Sequence, residues 1–185
     1  MVPCVDLVHL RRGREGDARG IAEVHVRTWQ DAYRDLLPAS FLNALSVDNR
    51  ERMWRDELSV THTDHAPWVA ECGGRIIGFV SAGASRSEDA RPREGEIYAI
   101  YVLPECWARG VGRNLLAHAE RDLISHGYTE AILWCLADNV RSRAFYELAG
   151  WRLDGGTLTR TFAGVDVEEV RYRIALERSR FAEAI

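Results

Sequence analysis

The stretch that most constrains this chain is residues 96–116, E-I-Y-A-I-Y-V-L-P-E-C-W-A-R-G-V-G-R-N-L-L. Its first seven residues put aromatic and β-branched side chains on both faces, the pattern of a strand in the middle of a sheet covered on both sides. Helical spacing then begins at about Gly110 and runs to His126. A strand that hands over to a helix through a turn holding Gly110 and Gly112 brings the unpaired amides of the first helical turn to a place where the backbone is bare. An anion such as a phosphate is the ligand that such a turn receives. The turn is neither a P-loop, since no G-K-[ST] follows, nor a dinucleotide fingerprint, which wants a third glycine and a nearby acidic residue.

The rest of the chain alternates in the same way. A first strand is expected over residues 5–11, followed by a polar turn and Asp17 as N-cap of a helix carrying Ile21, Val24, Thr28 and Ala32. Pro38 closes that segment or opens a short helix over residues 39–45, and Asp48 caps a third helix reaching about Leu58 with Met53, Trp54 and Leu58 turned inward. After a polar loop over residues 59–67 the period drops to two. Residues 68–72 and 75–84 form a hairpin around Gly73 and Gly74. A charged loop over residues 86–94, expected to be mobile and able to close over a substrate, leads into the central strand. Beyond the glycine turn come Gly127 as C-cap, a strand over 129–137, a helix over 139–149 closed by Gly150, and two strands around Ala163 and Gly164. Strands interleaved with helices give one α/β domain with a mixed sheet, residues 1–185. A chain of 185 residues buries roughly 70% of its unfolded surface, enough to need neither disulfides nor a structural metal.

Charge narrows the partners. The 24 basic residues, all Arg, are outnumbered by 28 acidic ones for a net −4, so no basic footprint for nucleic acid or an acidic membrane surface is expected. No stretch approaches the ~20 apolar residues of a membrane span, and residues 1–6 do not show a basic start followed by an apolar run. The expected location is cytoplasmic. Cys4, Cys72, Cys106 and Cys135 form no C-x-x-C pair and have no His at ligand spacing, so they are read as thiols and no metal site is expected.

A second element stands at residues 139–151, N-V-R-S-R-A-F-Y-E-L-A-G-W. In structural terms it is an Asn-capped helix with Phe145 and Leu148 in the core; in addition, Tyr146 sets an ionisable hydroxyl beside a core position. The two elements together resemble the GCN5-related N-acetyltransferase (GNAT) family, whose coenzyme motif [QR]-x-x-G-x-[GA] is followed by N-x-x-[SA]-x-x-F-Y-x-x-x-G-[FW]. The first motif falls on residues 107–112 and the second on Asn139, Ser142, Phe145, Tyr146, Gly150 and Trp151. One position departs from the pattern, Trp107 in place of Gln or Arg. Since that loop binds through backbone amides, altered entry geometry without loss of binding is expected.

The resemblance implies the GNAT fold, a mostly antiparallel sheet splayed between its fourth and fifth strands and flanked by helices. It implies acetyl-CoA as co-substrate, no metal, and direct transfer to an amine in a ternary complex. Backbone groups of Ile100, Tyr101 and Val102 would pair with the pantetheine arm. The amides of Arg109, Gly110, Val111, Gly112, Arg113 and Asn114 would hold the pyrophosphate, with the Arg109 and Arg113 side chains adding charge. Asn139 and Phe145 would complete the coenzyme site. Tyr146 takes the general-acid position, against a merely structural hydroxyl, and the Ile100 amide is an oxyanion donor. Glu96 is the candidate base, with Glu94 and Tyr98 as alternatives, while a solvated or salt-bridged carboxylate is the plainer reading.

Acceptor choice falls to the first helices. His25, Trp29 and Tyr33 at i, i+4 and i+8 make an aromatic face that either packs in the core or, with Tyr98, lines a pocket able to hold a cation. The leading acceptor is the primary amine of a small molecule. Acetylation of peptide or protein N-termini and a non-catalytic acyl-CoA-binding module are the alternatives, and a homodimer is compatible with the family.

Overall fold

The computed structural model describes residues 8–60 and 66–177. Residues 5–7 of the expected first strand, residues 61–65 of the expected loop and Cys4 lie outside them. The strands are β1 (His9–Arg12), β2 (Trp68–Cys72), β3 (Arg75–Ala84), β4 (Glu94–Val102), β5 (Glu130–Leu136), β6 (Arg152–Phe162) and β7 (Val165–Ala175). The helices are α1 (Ala18–Ala32), α2 (Ala39–Asn43), α3 (Val47–Val60), α4 (Val111–Ser125) and α5 (Val140–Leu148). One sheet runs in the order β1-β2-β3-β4-β5-β7-β6, with the aromatic strand β4 at its centre as its two apolar faces require. The pairs β1–β2, β2–β3, β5–β7 and β6–β7 are antiparallel, and β4–β5 is parallel.

The β4–β5 ladder is short. It runs from Glu94↔Glu130 to Ile97↔Leu133 and stops there, although β4 continues to Val102 and β5 to Leu136. Strand β5 meanwhile pairs with β7 along its whole length. This is the splay expected between the fourth and fifth strands.

The chain gathers into two compact units, the described residues up to Ser81 with Ala99–Leu116, and Ala82–Tyr98 with the residues from Ala117 onward. In the first unit the inward stripe of α1, Ile21, Ala22 and Val24, is buried with Val69, Phe79 and Leu115 at 1% exposure or less. Each large apolar side chain so buried contributes about 1.5–3 kcal/mol relative to exposure. The hairpin turns on Gly73 and Gly74 with φ of 57° and 78°, the left-handed pair that matches strand twist. Asp17 does not cap α1 through its side chain. It closes a 3-10 turn over residues 15–17 by accepting the Arg14 amide at 2.8 Å, and it binds the Arg11 guanidinium through both oxygens. At α3 the expected cap Asp48 gives way to Ser46, whose Oγ accepts the Asn49 amide at 3.2 Å. Of the three side chains expected inward on α3, Trp54 and Leu58 are buried but Met53 is 40% exposed.

The second unit holds Trp151 and Tyr172 fully buried, and the Trp151 indole donates to the buried carboxylate of Glu120 at 2.9 Å. Asn139 caps α5 as the sequence indicates, accepting the Ser142 amide at 3.1 Å. The helix leaves Leu148 86% exposed, so Leu148 is not a core residue; Tyr146 takes the buried position and Phe145 is half-buried. Residues 86–94 are anchored at several points. Asp89 binds Arg171 at 2.7 Å, Arg91 binds Glu130, and the Arg93 side chain donates to the Gly127 carbonyl at 2.7 Å.

Candidate active site

Strand β4 carries Glu94 and Glu96 on one face, two residues apart, and their surroundings separate them. Glu94 has no exposed side-chain surface, and one of its oxygens receives the Arg173 guanidinium. Arg173 also binds Asp154 and Glu130, and Asp154 binds Arg171. Glu96 is half-buried and accepts the Arg86 amide at 2.7 Å. Burial raises its carboxyl above the ordinary value, against the lowering effect of Arg86. Tyr98 donates to the Ala84 carbonyl at 2.6 Å, and the Arg86 guanidinium lies 3.6 Å over its ring. Burial pushes the Tyr98 hydroxyl up, so it stays protonated near neutral pH and has no anion with which to accept a proton.

In the same unit Tyr146, on α5, is 9% exposed. Its ring stands 5.2 Å from Phe145 and 5.9 Å from Tyr172. The Tyr172 hydroxyl receives Arg143 and donates to Glu147 at 2.7 Å, a hydrogen-bonded wall behind Tyr146 that sequence inspection missed. Asn139 is 6% exposed and its side-chain oxygen is committed to the helix cap, leaving its amide nitrogen for a ligand.

In the other unit, beyond the end of the β4–β5 ladder, come Ile100, Tyr101 and Val102. The Val102 carbonyl is already taken, accepting Thr28 Oγ1 at 3.1 Å and Trp107 Nε1 at 2.6 Å. Trp107, the one departure from the coenzyme motif, therefore pins its loop to the strand end. The loop turns on Ala108 at φ 58° and Gly110 at φ 81°. A Cβ at Gly110 would meet no atom within 4 Å, so glycine serves the left-handed backbone there. Helix α4 opens at Val111, and its first amides have no carbonyl within the helix to bind. Arg109 and Arg113 are exposed and form no ion pair with any described residue. Bare amides and two uncommitted guanidinium groups fit a pyrophosphate.

The same unit gathers the aromatic face of α1. His25 stacks on Tyr101 at 5.0 Å and lies 5.5 Å from Trp29, which meets Tyr33 edge-on at 5.2 Å. His25 is 7% exposed, its Nδ1 accepts the Trp54 indole at 3.3 Å, and its buried Nε2 has no partner among the described residues. Burial, with the charge of Arg50, lowers its pKa to about 3. His25 is thus a neutral core ring. The cation over Trp29 is the protein's own Arg50, at 5.6 Å. Trp54 and Arg50 lie four residues apart on α3, and sequence could have found them only by knowing that α3 packs on α1. Cys72 and Cys135 are buried, Cys106 is half-buried, and none forms a disulfide. No group of metal-ligating side chains occurs among the described residues. No helix among them is long and apolar enough to cross a membrane.

Known proteins agree with this geometry. The sequence pattern of the acetyltransferase (GNAT) family matches residues 26–151. A Bacillus subtilis protein named as the N-acetyltransferase YuaI is 34% identical over 76% of this chain and 78% of its own length. A Mycobacterium tuberculosis protein named as an N-acetyltransferase is 30% identical over 90% of this chain and 93% of its own. The PaiA N-acetyltransferase of Thermoplasma acidophilum, solved with coenzyme A, superposes with a TM-score of 0.72 at 17% identity, covering 91% of this chain and 99% of its own. With the splayed β4–β5 pair, the glycine turn before α4 and the Asn-capped α5, these matches show that the chain belongs to the GNAT family of acetyltransferases.

Proposed function

We propose that this protein moves an acetyl group from acetyl-CoA to the primary amine of a small molecule, directly and within a ternary complex. The observation that carries the reading is the β4–β5 ladder ending at Ile97↔Leu133, which leaves the rest of β4 with an edge that a pantetheine arm can join as an added strand. Just beyond β4, the amides from Arg109 to Arg113 hold the pyrophosphate, with the Arg109 and Arg113 side chains beside it, whereas the Asn114 amide, expected among them, is already spent on the Gly110 carbonyl at 3.0 Å. Because Val102 has already spent its carbonyl on Thr28 and Trp107, its contribution to the arm is its amide. Asn139 offers its amide nitrogen and Phe145 an apolar face. Acetyl-CoA supplies the activated acetyl group. The protein supplies the Ile100 amide for the oxyanion, Tyr146 as proton donor to the leaving thiolate, and Glu96 as base for the ammonium form of the acceptor.

Trp29 and Tyr33 line the acceptor side, with His25 behind them as packing. The large aromatic side chains of Trp29 and Tyr33 on that side favour a small amine over a peptide N-terminus. A raised carboxyl at Glu96 and a hydroxyl at Tyr146 favour turnover over a binding module. The place is the cytoplasm, without nucleic acid or membrane partners.

The test begins with thermal unfolding. Acetyl-CoA at about a hundred times its Kd stabilises by ~2.7 kcal/mol and lifts the midpoint by roughly 5–10 °C. Thiol release with a panel of amines then reads turnover, and Tyr146→Phe lowers it about 10²-fold with acetyl-CoA binding retained. No midpoint shift at any concentration removes the coenzyme site, and a Tyr146→Phe rate equal to wild type removes Tyr146 from the chemistry.

A further inference from the structure

Most guanidinium groups of α1 and α3 are committed. Arg19 binds Glu23, Asp48 and Glu51; Arg27 binds Glu105; Arg55 binds Glu51. Arg50 differs. Half-buried on α3, it has no carboxylate within ion-pairing distance among the described residues, and its neighbours are the Met53 sulfur at 3.5 Å and the face of Trp29.

Arg50 also lines a cavity of about 220 Å³, with Ala44, Leu45, Ser46, Asn49 and Met53 completing the wall. The polar groups there suit a negative guest. The Ser46 Oγ accepts from the Asn49 backbone, which leaves its proton to donate, and the Asn49 side-chain oxygen accepts Arg52, which leaves its amide protons. Among the described residues, no acidic side chain lines the cavity. Its volume suits a short arm ending in a few oxygens. Through Trp29, whose ring also meets Tyr101 at 6.4 Å, the cavity is one aromatic layer from β4.

Resting on the acetyltransferase reading above, we infer that Arg50 is the anchor for an oxoanion carried by the acceptor, so that the substrates are amines that also bear a carboxylate, phosphonate or phosphate. The planar fork of arginine binds such a group through two parallel hydrogen bonds. Trp29 holds the fork flat from behind. A purely cationic acceptor such as a polyamine is disfavoured, because its second ammonium would meet Arg50 where the Trp29 face is already occupied by a cation.

The experiment compares matched acceptors on the full chain with saturating acetyl-CoA: amino carboxylates, aminoalkyl phosphonates and phosphates, the corresponding amides, and the amines that lack the acid group. The expected result is a KM at least tenfold lower for an acid-bearing member than for its amide. Arg50→Gln erases that difference by raising the KM of the acid at least tenfold while kcat and the KM of the amide stay within twofold, and Arg50→Lys restores part of it. The carboxylate and phosphorus arms tell which oxoanion is read. Equal loss on acids and amides in Arg50→Gln, a wild-type preference for the amines lacking the acid group, or acetyl-CoA binding without turnover of any acid-bearing amine each overturns the anchor. Absence of acetyl-CoA binding overturns the acetyltransferase reading itself, and the midpoint shift with acetyl-CoA reports that separately from any effect of Arg50→Gln.

Discussion

Acid should weaken this fold through His25 by an amount that follows from its surroundings. The ring is 7% exposed, and its pKa falls from 6.5 to about 3 because burial disfavours the imidazolium and Arg50 repels it. The unfolded chain takes up a proton at this site below pH 6.5 and the folded chain does not until about pH 3, so stability is lost as pH falls through that window. Between pH 7 and pH 5 the loss from this one site is about 2 kcal/mol, or roughly 4–8 °C in the unfolding midpoint for a domain of this size. The variant His25→Gln cannot titrate, and its side-chain oxygen still accepts the Trp54 indole. Urea unfolding of both proteins at the two pH values is the assay, and the quantity read is the difference between their pH responses. If His25→Gln loses as much stability as wild type between pH 7 and pH 5, the buried neutral imidazole is not the source of the loss. Arg50→Gln shrinks the response without abolishing it, because repulsion by Arg50 is the smaller of the two causes.

Two further outcomes follow from the charged groups of the second unit. Arg173→Met strands the buried Glu94 carboxylate and is expected to cost about 3 kcal/mol by urea unfolding, whereas the double variant Glu94→Gln with Arg173→Met recovers most of it; equal stabilities for wild type and Arg173→Met would show that the pair is not desolvated. Burial raises the Glu96 carboxyl above its ordinary 4.5, so the acid limb of kcat/KM lies above that value, with activity rising as the group deprotonates. Glu96→Gln removes that limb and leaves activity that recovers only near the amine's own pKa; an unchanged profile would place the base elsewhere.

Local signals made much of the fold readable. The hairpin over β2 and β3, the Asn139 cap and the turn at Ala163 and Gly164 each depend on a few adjacent residues, and each stands where the sequence puts it. Errors came where a side chain had a distant alternative. Asp17 looked like a helix cap, but Arg11 lies beside it once β1 pairs with β2, and a bidentate ion pair outweighs a single cap bond. Leu148 fits helical spacing for a core position, yet α5 turns Tyr146 inward against Trp151, just before β6, and Tyr172 on β7, both later in the sequence. The anchors of the charged loop before β4, Arg171, Glu130 and the Gly127 carbonyl, are distant in the chain and so are not visible in the loop's own residues. The glycine turn and Tyr146 were legible as motif positions, whereas Arg50 was one arginine among 24 until α3 came to lie against α1.

In the proposed mechanism, the choice between Glu94 and Glu96 divides structural from chemical work along one strand. Two carboxylates on one face of β4 are equivalent in sequence, and a period of two aims both the same way. Glu94 lies without exposed side-chain surface against Arg173, so moving a proton through it would break an ion pair in a place with no solvent to replace the lost partner. Glu96 accepts a backbone amide and is half-buried, so it gives up its proton less readily than an ordinary carboxyl yet keeps a path by which the proton can leave. A base for an ammonium needs both properties. A group too acidic withdraws no proton, and a group locked in an ion pair cannot pass one on. Arg86 refines the balance, since its amide binds the Glu96 carboxylate while its guanidinium, laid over Tyr98, keeps positive charge near that carboxylate without pairing with it. Had the guanidinium paired with Glu96 directly, the carboxyl would be driven down as Asp17 is by Arg11, where burial opposes ionisation and the ion pair overcomes it. The stacking of Arg86 on Tyr98 is thus part of what leaves Glu96 able to accept a proton.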